Sequence, residues 1–199
     1  MKRILALLLL LLLAGCRMMN TTVPTVPAAA ASVSPTATPA SAADPAPVEY
    51  AFAFTARTLD GEELTEEVFG QYDLTMVNVW ASWCPPCRGE LGELSELYGK
   101  LPENVGFLSV TVDDPGDLDD AQALLEQYSC AFPCVDGQGS EGLVKSLLNR
   151  VMAIPTTVFF DRAGNEVGDW IVGVPQGKGS VSDAYLSEIQ ARLDLLNVK

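Results

Sequence analysis

No histidine occurs anywhere in the chain. That absence removes a Cys-His nucleophile pair and a Cys-x-x-Cys-His haem attachment from consideration. Basic residues are scarce: 12 Lys and Arg stand against 26 Asp and Glu, a formal charge of −14. Nucleic acid is therefore not a partner this chain is built to hold, and anionic lipid head groups repel it. Long apolar runs are also missing. The run at residues 4–14 holds 11 residues, short of the roughly 20 that cross a hydrocarbon core. Finally, five cysteines cannot all pair within one exported chain.

What is present at the N-terminus accounts for two of these shortfalls. Lys2 and Arg3 precede the apolar run, which ends in Leu13-Ala14-Gly15-Cys16. This reads as a secretory signal over residues 1–15. Its ending resembles the bacterial lipobox, in which the cysteine is lipidated and becomes the first residue of the mature protein; the alternative is an ordinary signal with an incidental Cys16. Lipidation of Cys16 leaves four cysteines in two local pairs, in a compartment that permits disulfides. It also leaves 10 basic against 26 acidic residues, so the lipid, not the charge, would hold the membrane. In residues 17–47, 23 of 31 positions are Ala, Pro, Ser or Thr. Residues 16–47 are thus expected to form a lipidated, disordered tether reaching about 90 Å when extended. Residues 48–199 supply one domain's worth of chain.

The sequence Trp83-Cys84-Pro85-Pro86-Cys87 follows an apolar run at 74–80 and precedes a helical pattern at 85–98. Two cysteines three apart at such a strand-to-helix corner form a reversible dithiol/disulfide. Cys84 falls at the helix N-cap, and Pro85 suits the first helical position because its missing N–H has no helical partner there. With Pro86 next, the first backbone donors near the Cys84 sulfur belong to Cys87 and Arg88. A thiolate at Cys84 gains these donors and the positive end of the helix dipole, while Cys87, one turn deeper, resolves the mixed disulfide. A structural disulfide or half of a zinc site are the alternatives; zinc would call on Cys130 and Cys134 as its remaining ligands, at the wrong spacing. No metal is assigned.

Further along, periodicity predicts strands at 50–55 and 105–112, helices at 117–128 and 142–148, a hairpin of 156–160 with 166–172 and a closing amphipathic helix at 182–196. The order implies an α/β domain, a mixed central sheet covered by helices on both faces, with an N-terminal strand or hairpin extension. Asp113, Asp114, Asp117, Asp119 and Asp120 read as a solvated helix start, since no EF-hand ligand order is present.

The stretch Val77-Asn78-Val79-Trp80-Ala81-Ser82-Trp83-Cys84-Pro85-Pro86-Cys87-Arg88, with Ile154-Pro155-Thr156-Thr157 later, resembles the TlpA/ResA group of the thioredoxin superfamily, extracytoplasmic thiol–disulfide oxidoreductases. The resemblance covers about residues 48–199. It implies a thioredoxin-like fold, no cofactor, Cys84 as the attacking and Cys87 as the resolving cysteine, and Pro155 as a cis-proline facing the disulfide. A cis bond there would turn the Ile154 backbone toward an extended substrate. Trp83 lines the site and Trp80 packs in the core. Two departures stand out. Asn78 occupies the place of the thioredoxin family's buried aspartate; Glu90 could substitute from the helix, although a solvated helix charge is its simpler reading. Gly92 replaces a helix-kinking proline, which puts the helix shape in question.

Cys130 and Cys134 lie four residues apart. Fully extended, their α-carbons would stand about 13 Å apart, whereas a disulfide requires less than about 7 Å, so they bridge only across a turn. A local structural disulfide is the leading expectation, a redox relay to Cys84 and Cys87 the second, unpaired or metal-binding thiols the third.

The sequence thus supports an extracytoplasmic, lipid-anchored reductase, taking electrons from a membrane dithiol donor and passing them to oxidised exported proteins. The resemblance suggests apocytochrome c or methionine sulfoxide reductase as recipients. A copper chaperone of the Sco type, expected to need Cys-x-x-x-Cys and a histidine, and a redox-inert binding lipoprotein are the other readings.

Overall fold

A computed structural model describes residues 48–197. The signal, Cys16 and the tether lie outside the described residues. The central sheet has the strand order β5-β4-β3-β6-β7, with β3 at Leu74–Trp80, β4 at Val105–Thr111, β5 at Cys134–Asp136, β6 at Thr156–Asp161 and β7 at Ile171–Val172. Strands β3, β4 and β5 run parallel, whereas β6 is antiparallel to β3 and β7 antiparallel to β6. Every residue of β3 and β4 is buried, as expected of strands covered on both faces.

Side-chain alternation divides the core in two. Leu74, Met76 and Trp80 of β3, with Phe107 of β4 and Phe159 of β6, face one cluster. Helices α1 (Pro85–Tyr98), α2 (Leu118–Gln127) and α4 (Val181–Asn197) close it with Leu91, Leu94, Leu97, Leu125, Tyr185 and Ile189. Val77 and Val79, with Leu108, Val110, Val158 and Phe160, face the other cluster, covered by Leu143 of α3 (Glu141–Ser146) and by the N-terminal segment. There Phe52, Phe54, Phe69 and Phe160 pack with ring centroids 5.0–6.0 Å apart, spacings typical of favourable aromatic pairs.

The N-terminal extension is a hairpin of β1 (Thr55–Arg57) and β2 (Glu63–Thr65), joined through Gly61 at φ +93°. It caps the edge of the main sheet, since Leu59 N–H donates to the Cys134 carbonyl. The expected strand at 50–55 is corrected: pairing begins only at Thr55, because Phe52 and Phe54 fill the aromatic cluster as loop residues. Likewise only Ile171–Val172 of the expected 166–172 strand forms a ladder; Glu166 makes an isolated bridge to Phe160, and Gly168 at φ +73° turns the chain away. Helix α1 continues unbroken through Gly92.

Among the described residues no helix is long and apolar enough to cross a membrane.

Candidate functional site: a disulfide at the head of helix α1

Strand β3 delivers the chain to the edge of the sheet, and Ala81 to Trp83 turn it into α1. Cys84 and Cys87 form a disulfide with α-carbons 5.3 Å apart. Cys84 is the N-cap residue, in an extended conformation, and its sulfur accepts the Cys87 backbone N–H at 3.3 Å. Pro85 and Pro86 occupy the first helical positions and carry no N–H, so Cys87 offers the first free donor. The Arg88 N–H, also expected at the sulfur, instead donates to the Cys84 carbonyl at 3.0 Å and begins the helical ladder.

The opposite wall is the start of β6. The Ile154–Pro155 peptide is cis, Pro155 is buried, and the Ile154 carbonyl oxygen lies 3.7 Å from the Cys84 sulfur. Gly173 N–H donates to the Pro155 carbonyl at 2.7 Å, tying this loop to β7. Trp80 is fully buried, while Trp83 is 63% exposed. Trp83 stands over a cleft of about 270 Å³ that Val112, Leu148, Val151, Met152 and Ile154 also line. Met152 is 91% exposed, so apolar surface reaches solvent beside the disulfide.

Three buried polar features depart from the leading expectations or go beyond them. Asp113, expected as part of a solvated helix start, has no exposed surface. Its carboxylate accepts from the Ser82 backbone N–H at 2.9 and 3.1 Å, from the Ser82 hydroxyl at 2.6 Å and from the Thr111 hydroxyl. It thereby pins the loop that presents Trp83 and Cys84. Asp114, Asp117, Asp119 and Asp120 are exposed as expected.

Glu90 is the second correction. It is 1% exposed rather than a solvated helix charge, because it falls on the stripe Cys87-Glu90-Leu91-Leu94-Leu97 that α1 turns to the sheet. The Asn78 amide donates to Oε1 and the Tyr185 hydroxyl to Oε2, each at 3.1 Å. Burial outweighs these bonds and pushes the carboxyl up to about 7. Glu90 sits one turn beyond Cys87, at a spacing that places Cβ atoms about 5–6 Å apart. The third feature, the Tyr185–Thr157 pair behind Glu90, comes from elements too distant in sequence for a local pattern to join.

The expected Cys130–Cys134 disulfide is also corrected: both residues are free thiols. Pro133 and Cys134 extend into β5, with Ser109 N–H on the Pro133 carbonyl, and the Phe132 ring packs tilted against Phe107 with centroids 4.6 Å apart. The segment cannot make the tight turn that a bridge needs. The Cys130 thiol donates to the Leu91 carbonyl at 3.7 Å. Burial pushes both thiols up to about 11, so both are poor nucleophiles near neutral pH. Among the described residues no group of three or more His, Cys, Asp and Glu side chains is placed to hold a metal ion.

The model of the AhpC/TSA family matches residues 47–165. Among curated proteins, the thiol:disulfide interchange protein DsbE homolog of Paracoccus denitrificans is 52% identical over 46 residues, 23% of this chain and 26% of that protein. The thiol–disulfide oxidoreductase ResA of Halalkalibacterium halodurans is 29% identical over 126 residues, 60% of this chain and 65% of that one. The chain thus spans less than two thirds of the length of either relative. Among solved structures, a thioredoxin-family thiol:disulfide interchange protein from Chlorobium tepidum aligns with a TM-score of 0.59 at 21% identity, covering 76% of this chain and 99% of that one. The fold is therefore thioredoxin-like.

Proposed function

The chain belongs to the AhpC/TSA family, and from that premise we propose that it is a thiol–disulfide oxidoreductase working outside the cytoplasm, anchored by lipid on Cys16, and running as a reductase. The observation that carries the exchange chemistry is the Cys84–Cys87 disulfide capped by the Cys87 N–H and set against the Ile154 carbonyl. In the reduced form the Cys84 thiolate attacks one sulfur of a substrate disulfide, and the other sulfur leaves as a thiolate. Cys87 then gives its proton to Glu90 and attacks Cys84. The Cys84–substrate bond breaks, a second substrate thiolate departs, and the released thiolates are protonated from water or Glu90. Two electrons pass to the substrate, and a membrane dithiol donor restores Cys84 and Cys87. The exposed Trp83 and Met152 give an apolar landing surface for an extended substrate segment.

Apocytochrome c and methionine sulfoxide reductase are the candidate recipients suggested by the TlpA/ResA resemblance. The acidic surface and the stretch 16–47 suit a domain held off a bilayer by its tether. The deciding experiment is redox equilibration of the couple with glutathione. A potential near thioredoxin's, about −270 mV, supports a reductase, and one near DsbA's, about −120 mV, overturns the direction. Trapping with Cys87→Ser tests the exchange itself: capture of no mixed disulfide rules it out.

A further inference from the structure

Behind the disulfide, four buried side chains from four elements close a ring of hydrogen bonds. Asn78 on β3 donates through its amide to Glu90 Oε1 at 3.1 Å and to Thr157 Oγ1 at 3.2 Å. Thr157 on β6 meets the Tyr185 hydroxyl at 3.1 Å, and Tyr185 on α4 donates to Glu90 Oε2 at 3.1 Å. The proton inventory fixes the direction. Both Asn78 amide hydrogens are used, the tyrosine hydrogen goes to the carboxylate, and the threonine hydrogen is left for the tyrosine oxygen. Asn78 donates to Glu90 directly, and the donors passing through Thr157 and Tyr185 lead to it as well.

We propose that Tyr185 is a positioning residue for disulfide exchange: its hydroxyl, delivered by the last helix, holds the Glu90 carboxylate one turn from Cys87 in the ionised form that accepts the Cys87 proton. This rests on the reading of Glu90 as that acceptor. A hydrogen bond to the charged form favours it, opposing the burial that disfavours it. No cation does this work. The titratable group in contact with Glu90 is the Tyr185 phenol; Cys87 lies one turn back on the same helix, and β3 and β6 present neutral Asn78 and Thr157. Glu93 of α1 is engaged with the Ser182 backbone, and Arg192 of α4 with Glu188 and the Phe159 ring.

The test follows Glu90 directly, by carboxyl-carbon NMR titration of the reduced full chain, beside the pH profile of mixed-disulfide resolution. Tyr185→Phe raises the Glu90 midpoint and the kinetic inflection together by about one pH unit, slowing resolution about fivefold at pH 7 and leaving it unchanged above pH 9.5. Thr157→Val, which removes the hydroxyl facing the tyrosine, shifts both in the same direction. A midpoint unmoved by Tyr185→Phe, or a slowing equal at every pH, overturns the positioning role. Glu90→Gln separates the premise: it abolishes the inflection, and an inflection that survives it refutes Glu90 as the acceptor.

Discussion

Replacing Glu90 by Gln stabilises the oxidised protein at alkaline pH and leaves it nearly unchanged in acid. Glu90 is buried and its carboxyl is raised from the ordinary 4.5 to about 7. Between those values the folded state holds a proton that the unfolded chain has released. Wherever the folded state binds more protons, stability falls as pH rises. The penalty is therefore absent below pH 4.5, grows through the window to pH 7 and is complete above it. The interval corresponds to about 3 kcal/mol at 1.36 kcal/mol for each pH unit. Glutamine keeps the shape and the acceptor oxygen and never ionises, so it escapes the penalty. Denaturant unfolding of Glu90→Gln and the parent, followed by circular dichroism from pH 4 to 9, measures the difference. It should be near zero at pH 4 and reach about 3 kcal/mol by pH 8.5. A difference independent of pH would refute the reasoning, because it would mean that the carboxyl titrates alike in the folded and unfolded chains.

Three further outcomes follow from the site. Asp113→Ala leaves the buried Ser82 N–H and hydroxyl without their acceptor, so unfolding measurements should show a loss of about 3 kcal/mol; a loss below about 0.5 kcal/mol would show that the loop finds other partners. Trp83→Ala, at an exposed position, should change stability by less than about 0.5 kcal/mol while raising KM for protein disulfides at constant kcat; a fall in kcat alone contradicts a landing surface. Timed alkylation of the reduced, folded protein at pH 8 should label Cys84 long before Cys130 or Cys134. Those two thiols, pushed up to about 11, hold about one thiolate in a thousand at that pH. Equal labelling rates would remove the distinction between the cysteine pairs.

The dithiol corner was legible because its determinants are local. An apolar run, an N-cap cysteine and two prolines place β3 and α1 at Leu74–Trp80 and Pro85–Tyr98 with no tertiary information. The carboxyl network was only half legible. Cys87, Glu90, Leu91 and Leu94 share one helical face by spacing alone, and Asn78 lies on the Leu74-Met76-Trp80 face by strand alternation. Together these signals place Glu90 in the core and argue against a solvated charge. Thr157 and Tyr185 were not legible, since nothing local ties a strand hydroxyl to a phenol 28 residues later. The Cys130–Cys134 spacing misled for a related reason. Short cysteine spacing signals a bridge only where the chain turns, and here Phe132 and Pro133 commit it to the edge of a sheet.

The two faces of the sheet carry different duties, which explains how the domain tolerates a buried acid. The face toward α3 is held by Val77, Val79, Leu108, Val110 and the phenylalanine cluster, an apolar core whose contribution does not depend on pH or on the state of the cysteines. The face toward α1 and α4 holds Glu90, Asn78, Thr157 and Tyr185 together with the disulfide. An ionised Glu90 costs stability there, yet that is the form able to take the proton from Cys87. Selection for exchange near neutral pH would hold such a carboxyl between full burial, which keeps it protonated, and full exposure, where it is too weak a base. Hydrogen bonds from Asn78 and Tyr185 set this balance without a neighbouring cation, so the midpoint should respond to loss of either donor far more than to ionic strength. A Glu90 titration that moves with added salt as much as with Tyr185→Phe would place the control in surface charge instead.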